Sequence, residues 1–206
     1  MKLTLDQIRA SARGVAYVSE AEDMIQLHRF TPEQEELYSH TSPEFYAKVF
    51  ATAGVVLEFD TDSQNLALAV TVSKGSSRPF FVHSIFANGE PVGQLAGDLA
   101  PEAINAEDRW GLGEGQKRVK ICFPWSAISK IRALELDDGA QFVPVVKTKK
   151  VLCFGDSITQ GYAAAQPEER RIVDAFLLLK NGGTMDFDSM SEALFVWCKK
   201  WIEAAK

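Results

Sequence analysis

Gly155-Asp156-Ser157-Ile158-Thr159-Gln160-Gly161 is the stretch of this 206-residue chain whose residue types could do covalent chemistry. A nucleophilic serine needs an Oγ projecting from a fixed turn, a base to take its proton, and donors facing the oxyanion formed on attack. Gly155 and Gly161 permit tight backbone turns around Ser157, and the amides of a following helix start could act as donors. Asp156 could orient the loop through side-chain-to-backbone hydrogen bonds. The same residues also fit an ordinary polar turn after a strand, and local chemistry leaves both readings open. The base is harder to find: the three histidines, His28, His40 and His83, all precede Ser157.

Other residues invite functional readings with structural alternatives beside them. His83 alternates within a strand-like run and reads as a structural imidazole, with a catalytic role as the alternative. His28, next to Arg29, reads as support for the fold or a domain junction, again against a direct catalytic role. Trp110 and Trp125 could stack on a sugar ring or cap a core; Asp60 and Asp62 could form a metal or acid/base pair or shape a turn. In each case the structural reading is preferred. Cys122, Cys153 and Cys198, an odd and widely spaced set among apolar neighbours, read as buried thiols in a reducing compartment, with no metal cluster.

The elements that would position these residues fall into two parts. Leu5 to Ala12 is helical in pattern. Gly54–Phe59, Leu66–Val72, Phe80–Phe86 and Val119–Phe123 are strand-like runs, with Leu66, Leu68, Val70 and Val72 on one face. Ala87-Asn88-Gly89-Glu90 carries the Asn-Gly hairpin signal, because both central residues must reach positive φ. Ile131–Leu136 and Phe142–Val146 are expected to pair as a hairpin across Asp137-Asp138-Gly139-Ala140. Thr31–Tyr46 and Gly93–Gly115 read as loops with short helical turns. Short strands without long helices between them predict an antiparallel β-sandwich, jelly-roll-like, over residues 1–147.

The pattern changes at Lys147-Thr148-Lys149-Lys150, read as a solvated junction in preference to an anion site. Val151–Phe154 is a continuous apolar run, suited to a central parallel strand, and it leads directly into the serine loop. Only 56 residues follow Lys150, whereas a doubly wound α/β domain needs well over about 100. Residues 148–206 are therefore expected to form a truncated α/β remnant: one strand, the serine loop and two helices. Pro167 with Glu168 and Glu169 would start the first helix, and Gly182 or Gly183, in a faintly glycine-block-like Asn181-Gly182-Gly183, would end it. Ser189-Met190-Ser191-Glu192 is a capping box for the second, whose stripe is Met190, Leu194, Trp197 and Trp201. That stripe could pack on the sandwich or the first helix, the preferred reading, or form a membrane-surface or partner-binding face, self-association included.

Charge and composition narrow the partners. With 22 Lys+Arg against 28 Asp+Glu the net charge is −6, without the basic stripe that nucleic-acid binding relies on. Hydrophobic residues at 46% and charged residues at 24% suit a globular domain. No apolar run approaches the ~20 residues that span a bilayer. The start MKLTLDQIRA breaks at Asp6 and Arg9 and lacks a signal-peptide core, so a cytoplasmic location is expected.

VLCFGDSITQGY at 151–162 resembles the first sequence block of the SGNH (GDSL) serine ester hydrolases. Leu27-His28-Arg29-Phe30-Thr31, the stretch Thr52–Ser63, Asn88-Gly89, Phe123-Pro124-Trp125 and Leu136-Asp137-Asp138-Gly139 resemble the β-sandwich domain preceding the catalytic domain in a bacterial branch of that family. Carbohydrate esterases share this two-domain plan. The resemblance covers about residues 1–163 and implies an ester hydrolase without metal or organic cofactor, acting on an acylated carbohydrate or another small ester. Ser157 matches the family's nucleophile, with its backbone amide as one oxyanion donor. The family's Gly-x-Asn-Asp block and its Asp-x-x-His base have no match in these residues, so weak or absent activity is expected of the chain. The alternative is a non-catalytic sandwich module that binds a glycan or a protein.

Overall fold

The computed structural model describes residues 1–147, which form a β-sandwich. Its elements are α1 (Leu5–Ser11), β1 (Ala12–Arg13), β2 (Tyr17–Ala21), β3 (Met24–His28), α2 (Pro32–Thr41), α3 (Pro43–Val49), β4 (Val56–Thr61), β5 (Asn65–Lys74), β6 (Phe80–Ala87), β7 (Glu90–Asp98), β8 (Ile104–Gly111), β9 (Lys117–Cys122), β10 (Ala127–Leu136) and β11 (Val143–Pro144). One sheet has the order β1-β4-β9-β6-β7, with β11 also on β4; the other runs β2-β3-β10-β5-β8. Every strand pairing among the described residues is antiparallel. No helix of the described residues is long and apolar enough to cross a membrane.

Alternation builds the core. Leu66, Leu68, Val70 and Val72 of β5 point inward and are fully buried, while Ala67, Ala69 and Thr71 face outward. They meet Leu57 and Phe59 of β4, Val119 and Ile121 of β9, and Phe81 and Ile85 of β6 in one hydrophobic cluster. Burying each such side chain stabilises the fold by roughly 1.5–3 kcal/mol. In β10 the buried positions are Ala127, Ser129 and Ile131, then Leu134 and Leu136. The change of parity is absorbed by a bulge between Ile131 and Ala133, which keeps apolar residues inward on both sides of it.

Turn chemistry is local. Asn88 and Gly89 take positive φ (53° and 88°) and join β6 to β7, as the Asn-Gly signal predicts. Glu22 and Asp23 take the same region (53° and 59°) and join β2 to β3 without any glycine. The segment 93–115 is not a loop: it completes β7 and contains β8, the outermost strands of the two sheets. Across the sandwich from β7, Trp110 of β8 lies against Gly93, where a Cβ would collide with the indole ring. In the segment 31–46 the helical turns are two helices, α2 and most of α3.

The expected hairpin between Ile131–Leu136 and Phe142–Val146 does not form. β11 pairs with β4, Val143 opposite Asp60 and Pro144 opposite Phe59, so the chain crosses to the other sheet after β10. The physical reason is Asp137. Its carboxylate accepts hydrogen bonds from the amides of Gln64 (2.8 Å) and Asn65 (2.9 Å) and from the Asn65 side chain (3.0 Å). Those bonds commit the turn to the β4–β5 loop, and Gly139, at φ 79°, redirects the chain. The donors hold the Asp137 carboxyl below the usual carboxylate range, the Asn65 side chain contributing most.

Candidate functional site

Ser157 and its loop partners Gly155, Asp156 and Gly161 lie outside the described residues, as do Met190, Leu194, Trp197 and Trp201. Cys153, Cys198 and the lysines at 149 and 150 also lie outside, whereas Lys147 pairs with Glu58 at 3.0 Å. Cys122 is buried at the end of β9. The site that can be built from the described residues centres on His28.

His28 is the last residue of β3, opposite Tyr17 of the outer strand β2. The chain then turns through Arg29 and Phe30 into α2, which starts with a capping box between Thr31 and Gln34, Pro32 in the first turn, and Glu33 and Glu35 following. Arg29 donates to the carbonyls of Ala51 and Lys48 and so fixes the end of α3. Consecutive residues thus hold the two helices against one end of the five-stranded sheet, and Glu35 is carried over the ring of His28.

The resulting geometry is a chain of hydrogen bonds. His28 Nδ1 lies 2.7 Å from Glu35 Oε1, and His28 Nε2 lies 2.8 Å from Ser19 Oγ. Tyr17 Oη donates to Glu35 Oε2 at 2.7 Å, and its ring stacks on the imidazole with centroids 4.0 Å apart and planes 11° from parallel. Phe50 meets the imidazole edge-on at 6.2 Å. The imidazole and the carboxylate are shielded, their side chains 8% and 12% exposed, whereas Ser19 and Tyr17 are half-buried. Burial first, then the hydrogen bond to Glu35, raises the Tyr17 hydroxyl well above the ordinary tyrosine value, so it remains a donor. A carboxylate can only accept. In the neutral imidazole the proton therefore sits on Nδ1, and Nε2 is left to accept from the Ser19 hydroxyl.

The other singled-out residues occupy structural positions. His83 is fully buried on β6, bonded through Nε2 to Ser129 Oγ of the opposite sheet at 2.8 Å and packed edge-on against Phe81 and Phe123. Burial pushes its pKa down to about 3, so it is neutral throughout the physiological range. His40 lies on α2 and is exposed. Trp110 and Trp125 are both buried, and the Arg78 guanidinium sits 4.1 Å from the Trp125 ring centroid. Asp60 pairs with Arg118 at 2.9 Å, while Asp62 accepts from the Gln141 amide at 2.8 Å; the two carboxylates are engaged separately. On the outer face of the five-stranded sheet, Ser19, Gln26, Lys130, Thr71 and Asn105 stand in one row across all five strands. Beside that row, Ala67 and Ala69 floor a trough walled by the Arg132–Glu107 ion pair at 3.0 Å.

Sequence reasoning singled out His28 but missed Ser19, Tyr17 and Glu35. The available signals were the alternate positions of Tyr17 and Ser19, and the capping box that places Glu35 one turn into α2.

No protein-family model and no curated protein matches this sequence. Solved structures do. The chain is similar to the salicylyl-acyltransferase SsfX3 of a tetracycline biosynthetic pathway, at TM-score 0.66 and 23% identity, over 80% of this chain and 49% of that one. The likeness is one of fold. A putative GDSL-like lipase from Bacteroides ovatus follows at TM-score 0.48 and 15% identity, over 73% of this chain and 44% of that one. A family two carbohydrate esterase from Clostridium thermocellum gives TM-score 0.37 and 18% identity, over 53% of this chain and 33% of that one. The chain spans about half the length of the first two.

Proposed function

We propose that this chain carries the β-sandwich and the nucleophile block of an SGNH-type serine ester hydrolase, with an acylated carbohydrate or another small ester as substrate. The observation that carries this reading is the join between two features. The last described strand of a sandwich similar in fold to part of an acyl-transferring protein, β11, ends at Pro144. Ser157 of Gly155-Asp156-Ser157, behind an apolar run, follows thirteen residues later in the sequence.

In this reading Ser157 Oγ attacks the ester carbonyl, its proton passes to a base, and the acyl-serine is released by water. No histidine follows Ser157 in the 206 residues, so the mechanism lacks the base that the family places there. Loss of a triad member in serine hydrolases leaves rates lower by roughly 10⁴- to 10⁶-fold. The purified chain is accordingly expected to turn over p-nitrophenyl acetate barely above background.

Added imidazole tests the assignment, because a small external base can stand in for a missing side chain. The Ser157-dependent rate, read as the difference between the chain and Ser157→Ala, should rise with imidazole concentration. A difference of zero at every imidazole concentration would transfer the support to a non-catalytic sandwich module. The polar row on the five-stranded sheet would then be the surface to probe with glycans.

A further inference from the structure

The Ser19–His28–Glu35 chain is connected as a serine-hydrolase triad is: hydroxyl to imidazole at 2.8 Å, imidazole to carboxylate at 2.7 Å, on opposite ring nitrogens. We propose that Ser19 is a second reactive serine, activated by His28 and able to take an acyl or phosphoryl group from a small activated ester or fluorophosphate. This reactivity does not depend on the reading of Ser157.

Three features carry this beyond a satisfied structural histidine. The first is the tautomer. Glu35 receives Tyr17 Oη on one oxygen and His28 Nδ1–H on the other, so the imidazole is held with Nε2 as the acceptor, the form a general base needs. The second is rigidity. Tyr17 stacks on one face of the ring and Phe50 approaches edge-on, so His28 is held where Ser19 can use it. The third is access. Ser19 is half-buried on the outer strand of its sheet, whereas the equivalent hydroxyl–imidazole pair at Ser129 and His83 is closed inside the core. The described residues therefore contain two serine–histidine pairs of equal length, and of these two only Ser19 combines solvent access with a carboxylate behind the ring.

The step balances without a cofactor. Ser19 Oγ attacks the electrophilic carbon or phosphorus, and the hydroxyl proton moves to His28 Nε2. The bond to the leaving alkoxide or fluoride breaks, and the leaving group departs with the electron pair. An alkoxide recovers the proton from His28; with fluoride the proton passes to solvent. Ser19 lies within a paired strand and not on a strand-to-helix turn whose free amides could hold an oxyanion, so covalent capture is expected to outrun turnover.

Diisopropyl fluorophosphate, applied to the full chain and followed by peptide mass mapping, tests this. The expected result is an adduct on Ser19 that survives Ser157→Ala and forms at least about a hundredfold faster than on the exposed Ser39, in line with general-base assistance. His28→Gln and Glu35→Gln should each remove most of that advantage with circular dichroism unchanged. In the unmutated chain, ¹⁵N spectra of the neutral His28 ring should show the proton on Nδ1 and Nε2 unprotonated, an orientation that packing alone does not select. If His28→Gln fails to fold, Glu35→Gln decides. Labelling of Ser19 no faster than Ser39, or a Ser19 rate unchanged in the folded Glu35→Gln chain, would overturn the proposal. A Ser19 adduct in the unmutated chain with no Ser157 adduct, even in added imidazole, would count against the hydrolase reading alone.

Discussion

His83 should make the sandwich acid-labile by a calculable amount. Its imidazole is fully buried between the sheets, and burial pushes its pKa to about 3, against about 6.5 in the unfolded chain. The folded value is the depressed one. Between these two values the unfolded chain binds a proton that the folded chain refuses, so stability is complete above about pH 6.5 and falls as pH drops toward 3. Integrating the unfolded-state titration from pH 7 to pH 5 gives a loss of about 2 kcal/mol from this one residue. With a urea dependence of roughly 2 kcal/mol/M, the unfolding midpoint should move by about 1 M. The assay is urea unfolding of the whole chain at both pH values, read by hydrogen exchange of peptides from β5 and β6 so that the sandwich alone is followed. His83→Gln keeps a polar side chain near Ser129 but cannot titrate. Its own midpoint will be lower at pH 7, and the quantity compared is the change between the two pH values. The variant should lose about 1 M less than the wild-type chain, contributions from all other groups cancelling in the difference. Equal pH-dependent losses in both chains would refute the buried neutral imidazole.

Two further perturbations test the fold. Gly93→Ala places a methyl group against the ring of Trp110 and must displace the indole from its buried position; a lower melting temperature and a red-shifted tryptophan emission are expected, and an unchanged melting temperature would contradict that contact. Asp137→Ala removes the acceptor shared by the Gln64 and Asn65 amides, so those amides should lose hydrogen-exchange protection and the chain should melt earlier, whereas retained protection would mean that Asp137 does not direct the β10–β11 crossing.

The central strands were legible because both chemistry and period agree in them. Leu66, Leu68, Val70 and Val72 alternate without interruption, and Asn88-Gly89 can hardly be anything but a tight turn. The outermost strands were not. β7 buries Leu95 alone and β8 buries Trp110 alone, so their sequences lack the uninterrupted apolar alternation that marks β5. The β2–β3 turn was hidden for another reason: Glu22 and Asp23 occupy left-handed positions that composition assigns to asparagine and glycine. The β11 pairing depended on Asp137 reaching residues more than seventy positions away, which no local window contains. The His28 cluster was half visible. A histidine at a strand end and a capping box behind it can be read from sequence, but Ser19 and Glu35 converge on the ring only once β2, β3 and α2 are packed together.

The claim that Ser157 is a nucleophile left without its base is tested most directly at the residue itself. A peptide map of the chain after fluorophosphonate treatment, with and without imidazole, reports modification at position 157 independently of any substrate preference. Slow modification of Ser157 that accelerates with imidazole is expected. An unmodified Ser157 peptide under both conditions, alongside a responsive control hydrolase, would contradict it.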